Sequence, residues 1–103
     1  MKRNDIQRMI SALAREGEQL FDRHTHANKR ADRLGQAAND YDNATIETQT
    51  PEECSRLDRM IEVSNRARLQ AERLEERRNL VMDACSDLEE VVTLSKPRRR
   101  VRA

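Results

Sequence analysis

Two histidines, two cysteines, a knot of carboxylates and an arginine-rich end are the residues of this chain best suited to chemistry. His24 and His26 are its only imidazoles. On a helix, residues two apart point to nearly opposite faces, so this pair does not close on one metal ion. Asp22 and His26 stand four apart and would need further ligands from another helix. The sequence supplies none in register. Cys54 and Cys85, on one continuous helix, lie roughly 45 Å apart and form no disulfide with each other. Cys85 falls on an apolar line and reads as a small core residue. Cys54 falls in a first helical turn, where the dipole favours its thiolate, but no seam histidine stands near it. Asp83, Asp87, Glu89 and Glu90 crowd one stretch. Paired carboxylates act as acid and base across a cleft, and a thin helical rod has none. No glycine-rich phosphate loop occurs. The expectation is a protein that is not an enzyme and holds no metal or cofactor.

The sharpest charge signal is the end of the chain. Lys96, Arg98, Arg99, Arg100 and Arg102 follow one another with no acid between them. The net charge of the whole chain is +1, so the rest is mildly acidic and this stretch is a basic tail. Such a tail neutralises about four or five phosphates without reading sequence. The only aromatic residues, Phe21 and Tyr41, lie far from it, so base stacking is not expected there. The tail supports a nucleic-acid or acidic-protein contact. The bland alternative is a solubilising end that complements a helix dipole.

These residues sit on two long apolar periodicities. Ile6, Leu13, Leu20, Ala27, Leu34 and Tyr41 recur every seven positions. Ile10, Gly17, His24, Ala31, Ala38 and Thr45 follow four residues behind them. Later in the chain, Leu57, Ser64, Ala71, Arg78, Cys85 and Val92 form one series. Met60, Ala67, Leu74, Val81, Leu88 and Ser95 form its companion. Paired seven-residue repeats of this kind are the seam of a coiled coil. With 38% charged residues, the chain has too little apolar surface for a thick core, and a narrow seam suits it.

Asn4, with Gln7 three residues on, resembles a weak capping box for a helix of about residues 4–48. Thr48-Gln49-Thr50-Pro51-Glu52-Glu53 interrupts the pattern. Thr50 suits an N-cap, Pro51 the first helical position, and Glu53 the returning carboxylate of a capping box. A second helix then covers about residues 51–95, and Lys96-Pro97 ends it. The turn of about 48–50 makes the helices antiparallel. The fold predicted is all-α: an antiparallel, coiled-coil-like hairpin over residues 1–95 with a flexible basic tail over 96–103. Contacting residue numbers should add up to about 98.

That register sets alanine against alanine in the middle of the rod, so one hairpin buries little apolar area. Near the termini the apolar face is broader than one seam. Ile6, Met9, Ile10 and Leu13 gather there with Leu80, Ala84, Leu88, Val91 and Leu94. The extra stripe predicts more helices, most simply a dimer forming a four-helix bundle. His24 and Arg78 form a polar layer in the seam that can fix register or oligomeric state. No stretch approaches the ~18 apolar residues of a membrane helix, and no signal-type core follows Met1. The expectation is a soluble, cytoplasmic interaction protein. An adaptor, an assembly subunit or a phage- or plasmid-encoded inhibitor would suit it. The alternative is a nucleic-acid-binding regulator that uses the arginine tail.

Overall fold

The computed structural model describes residues 2–95. Two helices account for nearly all of them: α1 over Arg3–Thr45 and α2 over Pro51–Ser95. They pack side by side and antiparallel in one layer whose principal extents are 84 × 27 × 14 Å. The thickness is close to that of a single helix with its side chains. The molecule is therefore a slab with two broad faces.

Seven-residue periodicity explains which atoms meet. Every residue of the four seam series whose burial is described is buried or half-buried. The buried ones are Leu20, Ala31, Ala38, Ala67, Ala71, Cys85 and Val92, together with Gly17. Contacts across the seam follow the predicted register within a few residues. A Cβ placed on Gly17 would lie 2.7 Å from Met82 Sδ, and one on Gly35 would lie 3.4 Å from Ser64 Oγ. Cys85 Sγ points at the Ile10 carbonyl, 3.7 Å away. Burial in the seam pushes the Cys85 thiol above its ordinary pKa, and the nearby Glu89 carboxylate adds to the effect. Both cysteines are free thiols.

The start of α1 departs from expectation. Its N-cap is Lys2, in extended conformation and without a side-chain cap. The Lys2 carbonyl instead accepts from the backbone N–H of Asp5 and Ile6, at 3.0 and 3.2 Å. Asn4 and Gln7 lie inside the helix, so they form no capping box. Asp5 still places an acid in the first turn, where the dipole favours it.

The turn is longer than expected on the α1 side. α1 ends at Thr45 rather than about residue 48. The Thr45 carbonyl accepts from the N–H of Thr48 (3.0 Å) and of Gln49 (2.8 Å), which closes the C-terminus. Ile46 keeps αR geometry, and no described residue has positive φ, so the reversal is made without glycine. On the α2 side the capping box forms as predicted. Glu53 N–H donates to Thr50 Oγ1 at 3.2 Å, and Thr50 N–H donates to Glu53 Oε1 at 3.1 Å. The Thr48 hydroxyl donates to the other oxygen, Oε2, at 3.1 Å.

Those donors favour the charged carboxylate. The Thr50 backbone N–H is the largest cause holding Glu53 below the usual carboxylate pKa. A depressed folded-state pKa gives stability above the unfolded value, and that stability is lost as pH falls through the folded one. Acid should therefore loosen this turn. Urea midpoints followed downward from neutral pH should fall less in Glu53→Gln than in the parent. Parallel curves would show that the carboxylate contributes nothing.

Candidate functional site

The two faces of the slab differ in chemistry because different heptad positions flank the seam on each side. On one face Arg68 of α2 reaches across to α1, with Nη2 2.6 Å from Asp32 Oδ1 and Nη1 3.3 Å from Asn28 Oδ1. His24 Nε2 lies 3.9 Å from Glu75 Oε2 and accepts from Asn28 Nδ2 at 3.3 Å. The Arg78 guanidinium stacks over the Phe21 ring, 4.8 Å from its centroid. This face also carries Glu18, Asp58, Glu72 and Glu89, so acids outnumber bases on it.

His24 and Arg78 are both half-buried seam residues, as their positions require. They occupy successive layers with separate partners, Glu75 for one and Phe21 for the other. Neither Asp22 nor Asp83 ion-pairs with Arg78 among the described residues. Arg78 Nε is buried with no hydrogen-bond partner among those residues. A buried unpaired donor costs about 1–3 kcal/mol, so Arg78 is retained at some expense to stability. Glu75 carries no motif of its own, although the register alone brings it opposite His24.

The other face is formed by the positions just before one seam series on each helix. Glu16 of α1 meets Arg77 of α2 there, at 3.6 Å. An open groove of about 730 Å³ runs beside Arg23, Arg30 and Arg33 of α1 and Gln70 and Leu74 of α2. Further toward the turn, Arg56 and Arg59 line a groove with Ala37 and Val63. Arg73 belongs to the same strip by helical position, three residues after Gln70 and four before Arg77. All six of these arginines are exposed. Among the described residues none has a carboxylate within ion-pair distance. Arg56 is the one with a ring contact, 5.7 Å from the Tyr41 centroid. Of the other arginines on this strip, Arg77 pairs with Glu16 and Arg66 pairs with Glu62.

The predicted apolar stripe lies on this same face, at the open end of the hairpin. Leu94 is 75% exposed and Leu80 70%. Val91, Met9 and Ala84 beside them are exposed as well. The remaining members of the predicted stripe divide off. Ile6, Ile10, Leu13 and Leu88 are half-buried in the seam between the two helices. The basic-tail residues Lys96, Arg98, Arg99, Arg100 and Arg102 lie outside the described residues.

No three His, Cys, Asp or Glu side chains gather as a metal site among the described residues. His26 lies exposed beside the arginine groove, away from His24. Cys54 Sγ rests 3.9 Å from the Gln49 carbonyl in the turn. No described helix is long and apolar enough to cross a membrane. No protein-family model matches the sequence, and neither a curated protein nor a solved structure is detectably similar to it. The functional reading therefore rests on the two faces themselves.

Proposed function

We propose that this chain is a non-enzymatic protein–protein interaction module that self-associates through the open end of its hairpin. The observation that carries the reading is the exposure of Leu80 and Leu94 on one face, beside Met9, Ala84 and Val91. Large side chains left so open in a cluster are a contact surface waiting for apolar cover. A second copy offers that cover with the same patch, through a two-fold axis.

The charge on the same face limits how two copies overlap. Full-length stacking of the two faces would set Arg23, Arg30 and Arg73 against their own counterparts. Like charges brought together out of water are strongly unfavourable. An overlap confined to the open ends avoids this clash. The expected dimer is thus a short four-helix junction, with the two turns pointing away from each other. Its free turns and faces would let it act as an adaptor or an assembly subunit.

Leu80→Glu/Leu94→Glu tests this directly. Light scattering across protein concentration should give twice the chain mass for the parent and the single-chain mass for the variant. A parent that stays monomeric at high micromolar concentration sinks the proposal, as does a variant that still dimerises.

A further inference from the structure

The arginine strip in the middle of the slab is not used by the fold or by the proposed dimer. Arg23, Arg30 and Arg33 stand on α1, and Arg56, Arg59 and Arg73 stand on α2. An ordinary solvated helix face alternates signs, because i,i+4 pairs of opposite charge stabilise it. This strip does not. Its six guanidinia have no carboxylate partner among the described residues; Asp32, Glu72, Glu75 and Glu89 stand on the opposite face, and Glu16 on this one is held by Arg77 at 3.6 Å. Even Asp32, which borders the groove, is turned away to Arg68 at 2.6 Å.

We infer that this face binds the phosphate backbone of a nucleic-acid duplex, without reading its sequence. Four features select that partner. The six charges of the strip are arginines, with Lys29 beside them in the groove, and the planar fork of arginine fits phosphate oxygens better than lysine does. From Arg56 to Arg77 the strip extends about 30 Å, the length of roughly nine base pairs. It is carried by two rows, one on each helix, so both rows can meet phosphates bordering one groove. Finally, no aromatic side chain is exposed on it for stacking bases. Phe21 lies on the acidic face under Arg78, and Tyr41 lies half-buried beneath Arg56. A single strand would need such platforms.

The acidic face of a second copy is the competing occupant. That face is less available. Asp32 is engaged by Arg68 and Asp42 by Gln49 at 2.9 Å. Face-to-back stacking is also heterologous and does not close, so it would run on into filaments.

The test uses the full chain and a fluorescent duplex of random sequence, with anisotropy read across salt. Arg30→Gln/Arg33→Gln/Arg59→Gln/Arg73→Gln removes four charges from the face. Arg98→Gln/Arg99→Gln/Arg100→Gln/Arg102→Gln removes four from the tail. The face variant should bind at least tenfold more weakly at low salt. Its slope of log affinity against log salt should be shallower by about three to four units, near 0.9 for each phosphate no longer neutralised. The lysine version of the same four positions keeps the charge and should keep the slope. If circular dichroism shows the four-glutamine variant disturbed, Arg30→Gln/Arg73→Gln should give about half the change. No binding by the parent at low salt overturns the inference. So does a face variant with an unchanged slope, the tail variant alone losing affinity. A face variant that alters the mass in solution while leaving duplex affinity intact assigns the strip to a second copy, and also overturns it.

Discussion

Leu20→Ala should leave most of the molecules unfolded at room temperature. Leu20 is 2% exposed and is the one large aliphatic side chain of α1 that is buried. The other buried positions of α1 are Gly17, Ala31 and Ala38, which contribute little apolar area each. Removing a buried leucine to alanine costs about 2–5 kcal/mol, through lost transfer energy and the cavity left behind. A seam this thin has little reserve, because whole domains are stable by only about 5–15 kcal/mol. Circular dichroism at low micromolar concentration reads the result, with Leu80→Ala as the comparison. Leu80 is 70% exposed, so its truncation should change the monomer by no more than about 0.5 kcal/mol. If Leu20→Ala shifted the melt no more than Leu80→Ala does, the seam would not be what holds the hairpin.

The difference between those two leucines is legible in the sequence. Both are apolar residues in helices of similar composition. Only Leu20 falls on a seven-residue series, and that spacing alone places it inside. The whole seam is readable this way, because strict periodicity over many turns leaves one face to bury. Thr50, Pro51 and Glu53 are readable for a different reason. A capping box is local, and three residue types in order suffice to specify it.

Signals that depend on two distant segments are harder to see. Thr45 ends α1 through its carbonyl, which binds the N–H of Thr48 and Gln49. No glycine or proline marks that stop, so the expected helix ran on to residue 48. The arginine strip is hidden along the sequence because its members never form a run. Arg30 and Arg33 stand far from Arg59 and Arg73, and acids separate them on both helices. Only antiparallel pairing brings the arginines of the two helices onto one face. The tail is conspicuous by contrast because its arginines are nearly consecutive. Projecting the register across the seam also brings out Glu75 opposite His24, since helical spacing alone sets that pair.

Close approach of the helices in the middle of the seam makes a second large effect, of the opposite chemical kind. Ala71→Leu should destabilise the hairpin although it adds apolar surface. Ala31 and Ala71 are each 1% exposed, and Ala67 and Ala38 are buried on either side of them. Alanine facing alanine brings the helices toward the ~8 Å end of the usual spacing. The extra carbons of leucine then have no void to enter. They must take a poor rotamer or push the backbones apart, at about 1–3 kcal/mol. Splaying is costly beyond that site, because a rigid rod opened in the middle loosens its neighbours too. Arg68 would lose its reach to Asp32, now 2.6 Å across the seam. Urea titration should show a lower midpoint with an unchanged slope, as expected when the native fold is retained but weakened. Transfer energy alone predicts the reverse, a gain of about 1.5–3 kcal/mol from burying a larger side chain. A raised midpoint at unchanged mass would mean the seam has slack, and the alanines would then need another explanation. A raised midpoint with a mass above the parent's would mean that the widened seam had recruited another hairpin. Steric exclusion in the single hairpin would survive that outcome, because leucine would still be accommodated only by leaving the original packing.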